Sequence, residues 1–210
     1  MNKTVPLEYG KYFHIYNRGI NKCDIFQYPS DYEHFLNLYG KYIHLIADTY
    51  AWVLMKNHFH FLIRIKEEED IKFFKSLKAS MSKEPVSIEL MKKPLPYRQF
   101  SHLFNAYAKY FNKKYTRSGS LFEKNFERIE VSSKEYFRYL IYYIHHNPVH
   151  HGFTDDIFKY KWSSFLTINS TKSTRLKRKE VIEWFEDLEN FNFFHNQQHD
   201  FDRLREYLID

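Results

Sequence analysis

Apolar and aromatic residues crowd LMKNHFHFLIRI, Leu54 to Ile65, with no helix former dominant, and the stretch predicts a β-strand that carries two histidines at alternate positions. Alternation in YGKYFHIYNRG predicts an earlier strand over Lys11–Tyr16, closed by an Asn-Arg-Gly turn. Between them, PSDYEHFLNLYGKYIHLIA places Phe35, Leu36, Leu38, Ile43 and Leu45 at helical spacing behind a capping box from Ser30 to Glu33. TYAWVLM and HFHFLIRI then form two strands joined by a tight turn at Lys56 and Asn57. Residues 67–117 predict mostly helix, interrupted by the proline-punctuated EPVSIELMKKPLPYRQ and ended by Gly119. SLFEKNFERIEV alternates as a strand, and SSKEYFRYLIYYIHHNP follows as a helix opened by Ser132 to Glu135 and ended by Pro148.

The resulting order, β-α-β-β-α-β with a further helix, predicts an α+β protein of ferredoxin-like type. A small antiparallel sheet is covered by helices on one face, with a helical insertion and a C-terminal appendage. The composition shifts near residue 170: TKSTRLKRK carries five basic residues, and Glu183–Asp210 holds eight acids against Arg203 and Arg205. The expected organisation is therefore a main domain over residues 1–169 and an appendage over 170–210.

The chain has 210 residues, enough for one sizeable core. Aromatic residues make up 20%, more than such a core holds, so some rings are expected near the surface as a stacking platform. The formal net charge of +6 favours a polyanionic partner. Cys23 is the single cysteine, which fits a reducing compartment, and neither a signal-peptide core nor an 18-residue apolar run occurs. A soluble cytoplasmic protein with no membrane partner is expected, associated with the nucleoid if its partner is DNA.

Two chemical constellations emerge. His58 and His60 are two apart on a strand and project from one face, which makes either a bidentate imidazole site or two half-exposed strand histidines. In YYIHHNPVHHG, Tyr143 and Asn147 are four apart on a helix and share a face. Asn147 can offer an amide oxygen to a hard cation within reach of the Tyr143 phenol, or can simply cap the helix behind an aromatic stripe. A third segment, NAYAKYFNKKYTRSGSLFEKNFER, interleaves Tyr107, Tyr110, Phe111 and Tyr115 with Lys109, Lys113, Lys114, Arg117, Lys124 and Arg128. Rings for bases and cations for phosphate suit a single-strand groove, and an amphipathic helix with a solvated basic face is the other reading. Arg18 either holds phosphate or caps its turn. His145, His146, His150 and His151 are expected as phosphate contacts or solvated residues, with proton transfer as a further role.

VLMKNHFHFLIRI and YLIYYIHHNPVHHGF, preceded by YFHIYNRG and followed by KWSSF, together resemble the REP-associated tyrosine transposases, relatives of the single-strand insertion-sequence transposases, over about residues 9–167. The resemblance implies that His58 and His60 bind a divalent metal, Mg²⁺ or Mn²⁺, that Asn147 is the third ligand and that Tyr143 is the nucleophile. The related insertion-sequence enzymes carry Gln where Asn147 stands, so Asn147 follows the REP-associated branch. The implied activity is site-specific cleavage and rejoining of single-stranded DNA at hairpin-forming, REP-like repeats through a 5′-phosphotyrosine, by a monomer or a homodimer. Two alternatives stand beside it: a non-catalytic nucleic-acid-binding regulator of the same fold, and a metal-dependent nuclease without a covalent intermediate. Tyr115 is the one rival nucleophile, and it has Gly119, no ligand, four positions on.

Overall fold

The computed structural model describes residues 5–71, 74–75 and 91–199. In chain order the main elements are β1 (Tyr12–Arg18), α1 (Pro29–Tyr42), β2 (Ala47–Leu54), β3 (His58–Ile65), the two-residue strands β4 (Phe74–Lys75) and β5 (Met91–Lys92), α2 (Pro96–Lys114), β6 (Glu127–Val131) and α3 (Lys134–His150). Three short helices follow, α4 (Phe165–Ile168), α5 (Arg178–Trp184) and α6 (Leu188–Asn196). The main sheet runs β2-β3-β1-β6 with every neighbouring pair antiparallel. This is the expected α+β architecture with β1, α1, β2, β3, α2 and β6 in the β-α-β-β-α-β order.

The pleat sorts side chains into two cores. Phe13, Ile15, Phe59, Phe61, Ile63 and Ile65 face α1 and α2, where Phe35, Tyr39, Phe100, Leu103, Tyr107 and Phe111 close a first core. Tyr50, Ala51, Val53 and Leu62 face the other way, against Phe137, Leu140, Ile141 and Ile144 of α3. Helices therefore cover both faces. The expected single covered face holds for α1 and α2, while the further helix seals the opposite side because the residues there are too apolar to face water. Each fully buried ring or branched chain contributes about 1.5–3 kcal/mol.

Several local expectations need correction. Asp31, rather than the Ser30–Glu33 pair, caps α1, its carboxylate accepting from the backbone N–H groups of Gln27 and Tyr28 at 2.9 and 3.0 Å. Ser133, not Ser132, caps α3 by accepting from the Tyr136 N–H. Phe74–Lys75, expected in a helix, pairs instead with Met91–Lys92; the rest of that expected helix and the start of the proline-punctuated piece, residues 76–90, lie outside the described residues. Pro148 does not end α3: the helix runs to His150. Its stop is Gly152 at φ +71°, with Gly152 N–H donating to Val149 O and Phe153 N–H to Pro148 O, the paired bonds of a Schellman turn. The two-residue Lys56–Asn57 turn is as expected, with Met55 and His58 bonded across it.

The boundary drawn at residue 170 does not mark where packing stops. Val181, Phe185 and Phe191 are buried in the second core beside Phe165 and Ile168. Leu176, Trp184 and Phe194 pack against it. Residues 200–210 lie outside the described residues.

Candidate functional site

β3 pairs with β1 so that Tyr16 stands opposite His60 and Arg18 opposite His58. His58 and His60 share the sheet face of Leu62, four and two residues before it, which meets α3, and α3 brings Tyr143 and Asn147 to the same place. The His58 Nε2 and Asn147 Oδ1 atoms are 3.2 Å apart, and the Tyr143 ring stands edge-on to His60 with centroids 5.5 Å apart at 88°. The four residues named as metal ligands and nucleophile thus converge between one strand and one helix.

The electrostatics follow from burial. Asn147 is fully buried, His60 is 3% exposed and Tyr143 5%. Burial pushes His58 down to about 4, His151 nearby lowers it further and the Asn147 contact opposes the shift. Burial also drives His60 well below its ordinary value, with His14, His58 and His151 adding to the shift. Both rings are neutral at pH 7, the form that ligates a metal. Burial raises the Tyr136 phenol, and the neighbouring Tyr16 and Tyr143 phenols raise it further; the Tyr16 and Tyr143 rings both lie against His60. Tyr143 is covered in this conformation.

The donor set fits a divalent ion. The His58 Nδ1 lies 2.6 Å from Asn57 Oδ1. When Nδ1 carries the proton, Nε2 turns a lone pair toward the Asn147 oxygen, and their 3.2 Å separation is close to the roughly 3 Å between adjacent ligand atoms of an octahedral ion with bonds near 2.1 Å. Among the described residues no group of three His, Cys, Asp or Glu side chains could hold a metal. The third donor here is an amide oxygen, and the Asn147 Nδ2 is buried without a hydrogen-bond partner.

The basic and aromatic segment lies on the other face of the sheet. Tyr107 is fully buried and donates its hydroxyl to Ile25 O, so it is a core residue and not a stacking ring. The reason is its place in the apolar stripe Pro96, Phe100, Leu103, Tyr107, Phe111 along the inner face of α2. Tyr110, Lys114 and Tyr115 converge on the buried Asp31 carboxylate at 3.1, 2.6 and 2.6 Å. Tyr115 is raised to about 12, first by burial and then by its bond to Asp31, and stands on the opposite sheet face from His58 and His60. Arg117 bonds Asn112 Oδ1 and Ser120 O and pins the loop after α2. Arg128 is half-buried over the Phe126 ring. Lys109, Lys113 and Lys124 are exposed cations, and Arg18, exposed at the edge of the histidine site, pairs with Glu123 at 3.0 Å.

His145 was expected at the surface and is fully buried. Its Nε2 lies 2.8 Å from Ser164 Oγ and its Nδ1 2.9 Å from His195 Nε2, while His195 Nδ1 lies 2.8 Å from Phe191 O. Trp52 N–H donates to the same Ser164 hydroxyl. One neutral chain of donors and acceptors therefore ties the back of α3 to β2 and α6. His146 stacks on Tyr142 at 3.9 Å, and His151 stands edge-on to His58 at 4.8 Å. Sequence reading missed His14, whose Nε2 lies 2.9 Å from His60 Nδ1; its alternate spacing with Tyr12 and Tyr16 on β1 was the available signal.

No helix of the described residues is long and apolar enough to cross a membrane. No family model and no curated protein matches the sequence. Among solved structures, the fold is similar to that of a REP-associated tyrosine transposase bound to a REP hairpin, with a TM-score of 0.56 over 81% of this chain and 86% of that one at 14% identity.

Proposed function

We propose that the chain is a metal-dependent single-stranded DNA endonuclease and strand transferase acting on hairpin-forming repeats. The observation that carries this reading is the meeting of His58 and His60 from β3 with Tyr143 and Asn147 from α3. The hairpin seen with the structural neighbour supports the substrate class. His58, His60 and Asn147 would hold Mg²⁺ or Mn²⁺, which when bound polarises the scissile phosphate and leaves positions for its oxygens. Tyr143 Oη forms the bond to phosphorus as the bond to the 3′-oxygen breaks. The proton lost by the phenol is balanced by the one gained by the leaving 3′-oxygen. Attack by another 3′-hydroxyl reverses the exchange, so one tyrosine cleaves and rejoins without external energy. The test is incubation of labelled single-stranded substrate with Mn²⁺, followed by denaturing electrophoresis and peptide mapping of the adduct at Tyr143.

Two expected outcomes accompany this reading. In calorimetry, His58→Ala with His60→Ala abolishes Mn²⁺ binding, and wild type prefers Mn²⁺ to Mg²⁺ because two imidazoles soften the site. Equal Mn²⁺ affinity in both proteins removes the site. For DNA, Lys113→Ala and Lys124→Ala each weaken hairpin binding across sequences and reduce the salt slope by about one. Unchanged titrations at several salt concentrations exclude the α2 side as a phosphate surface.

A further inference from the structure

We propose that His14 is a positioning residue that holds His60 in the one tautomer able to ligate a metal; the inference rests on the metal-site reading above. His14 sits on β1, diagonal to His60 across the β1–β3 pairing, and shares its sheet face. The rings are nearly parallel, 20° apart with centroids at 5.1 Å, and His14 Nε2 meets His60 Nδ1 at 2.9 Å. A hydrogen bond between two imidazoles needs one N–H and one lone pair. If His60 Nδ1–H donates to His14, the His60 Nε2 keeps its lone pair for a cation. If His14 donates instead, His60 Nε2 carries the proton and cannot bind one.

His60 Nδ1 is occupied by His14, so only Nε2 can serve as the ligand atom. His58 has the same arrangement, its Nδ1 held by Asn57 Oδ1 at 2.6 Å and its Nε2 facing Asn147. Each candidate ligand is thus gripped by its Nδ1 from outside. Metal-bound histidines ordinarily donate their second ring N–H to such a partner, which fixes orientation and raises ligand basicity. The same contact leaves His14 Nδ1 buried with no hydrogen-bond partner whichever ring donates, as an N–H in the assigned tautomer and as a bare lone pair in the other. His14 itself is 2% exposed, leans on Tyr16 at 4.9 Å and stands edge-on to Tyr143, so its place is fixed by packing.

The test begins with the metal-free wild type. Long-range proton–nitrogen NMR on ¹⁵N-histidine protein should show His60 protonated at Nδ1, and protonation at Nε2 overturns the proposal. His14→Phe keeps the ring on Tyr16 but removes the acceptor. It should shift His60 toward the Nε2–H form and weaken Mn²⁺ binding by about 10–100-fold while the His58 signals stay unchanged. His14→Gln, which restores an acceptor, should recover part of that affinity. An unchanged His60 tautomer and Mn²⁺ affinity in a folded His14→Phe protein also overturns it. If wild type binds no Mn²⁺, the metal reading fails, and the wild-type tautomer still decides the role of His14.

Discussion

Replacing Tyr143 by phenylalanine lowers cleavage of a labelled single-stranded substrate by at least about 10³-fold, while Mn²⁺ and hairpin affinities stay within about twofold of wild type. The substitution deletes one oxygen and keeps the ring edge-on to His60 and His14. It leaves the His58–Asn147 contact untouched, so ground-state binding has no reason to change. The stability cost is about 1 kcal/mol, that of one hydrogen-bonding group. Tyr115→Phe is the control: it retains cleavage and loses stability, because its hydroxyl bonds Asp31 on the far side of the sheet. Retained cleavage by Tyr143→Phe, or an adduct mapped to Tyr115, overturns the assignment. Loss of cleavage with no adduct in wild type transfers the chemistry to a metal-activated water, with the tyrosine only orienting phosphate.

The largest stability effect is expected at Asp31. Its side chain is fully buried and accepts from two backbone N–H groups, Lys114, Tyr110 and Tyr115. Asp31→Ala leaves those donors without a partner and costs about 3 kcal/mol or more, a fall in Tm of roughly 6–12 °C for a chain of this size. The pH dependence follows. Burial acts to raise the carboxyl, but the bonds from Lys114, Tyr115, Tyr28 and Gln27 outweigh it and hold it down at about 2 against an ordinary 3.8. A depressed carboxyl contributes stability that is present above pH 4 and lost as pH falls toward 2, here about 2 kcal/mol. Wild type should therefore lose its advantage over Asp31→Asn across that window in denaturant melts. A constant gap from pH 7 to pH 2.5 would show that the charge contributes nothing.

What could be read in advance was what local pattern dictates. His58 and His60 on one strand face and the Lys56–Asn57 turn follow from a two-residue period, and the Tyr143–Asn147 pair follows from a helical one. Tyr107 was misread because the chain interleaves rings and lysines, and only the stripe through Phe100, Leu103 and Phe111 assigns it inward. Asp31 could not be recognised as a hub, since its side-chain donors lie 79 to 84 residues away. The same holds for His14, which meets His60 only because β1 and β3, 46 residues apart at that contact, are sheet neighbours. His145 sits two residues from both Tyr143 and Asn147, which puts it on the opposite side of α3, where it meets a partner on α6 that composition had marked as a separate tail.

That backward link bears on how the protein should be produced in the laboratory. A gene trimmed after codon 169, the cut that charge composition invites, would delete His195 and the Val181, Phe185 and Phe191 side chains that lie behind α3. His145 would keep Ser164 and lose its second partner in a newly wetted cavity, and the helix that presents Tyr143 would keep Phe165 and Ile168 but lose the rest of its rear packing. An inactive trimmed protein would then report a collapsed support rather than a DNA-handling role for the deleted residues, so expression trials should retain the chain through at least residue 199.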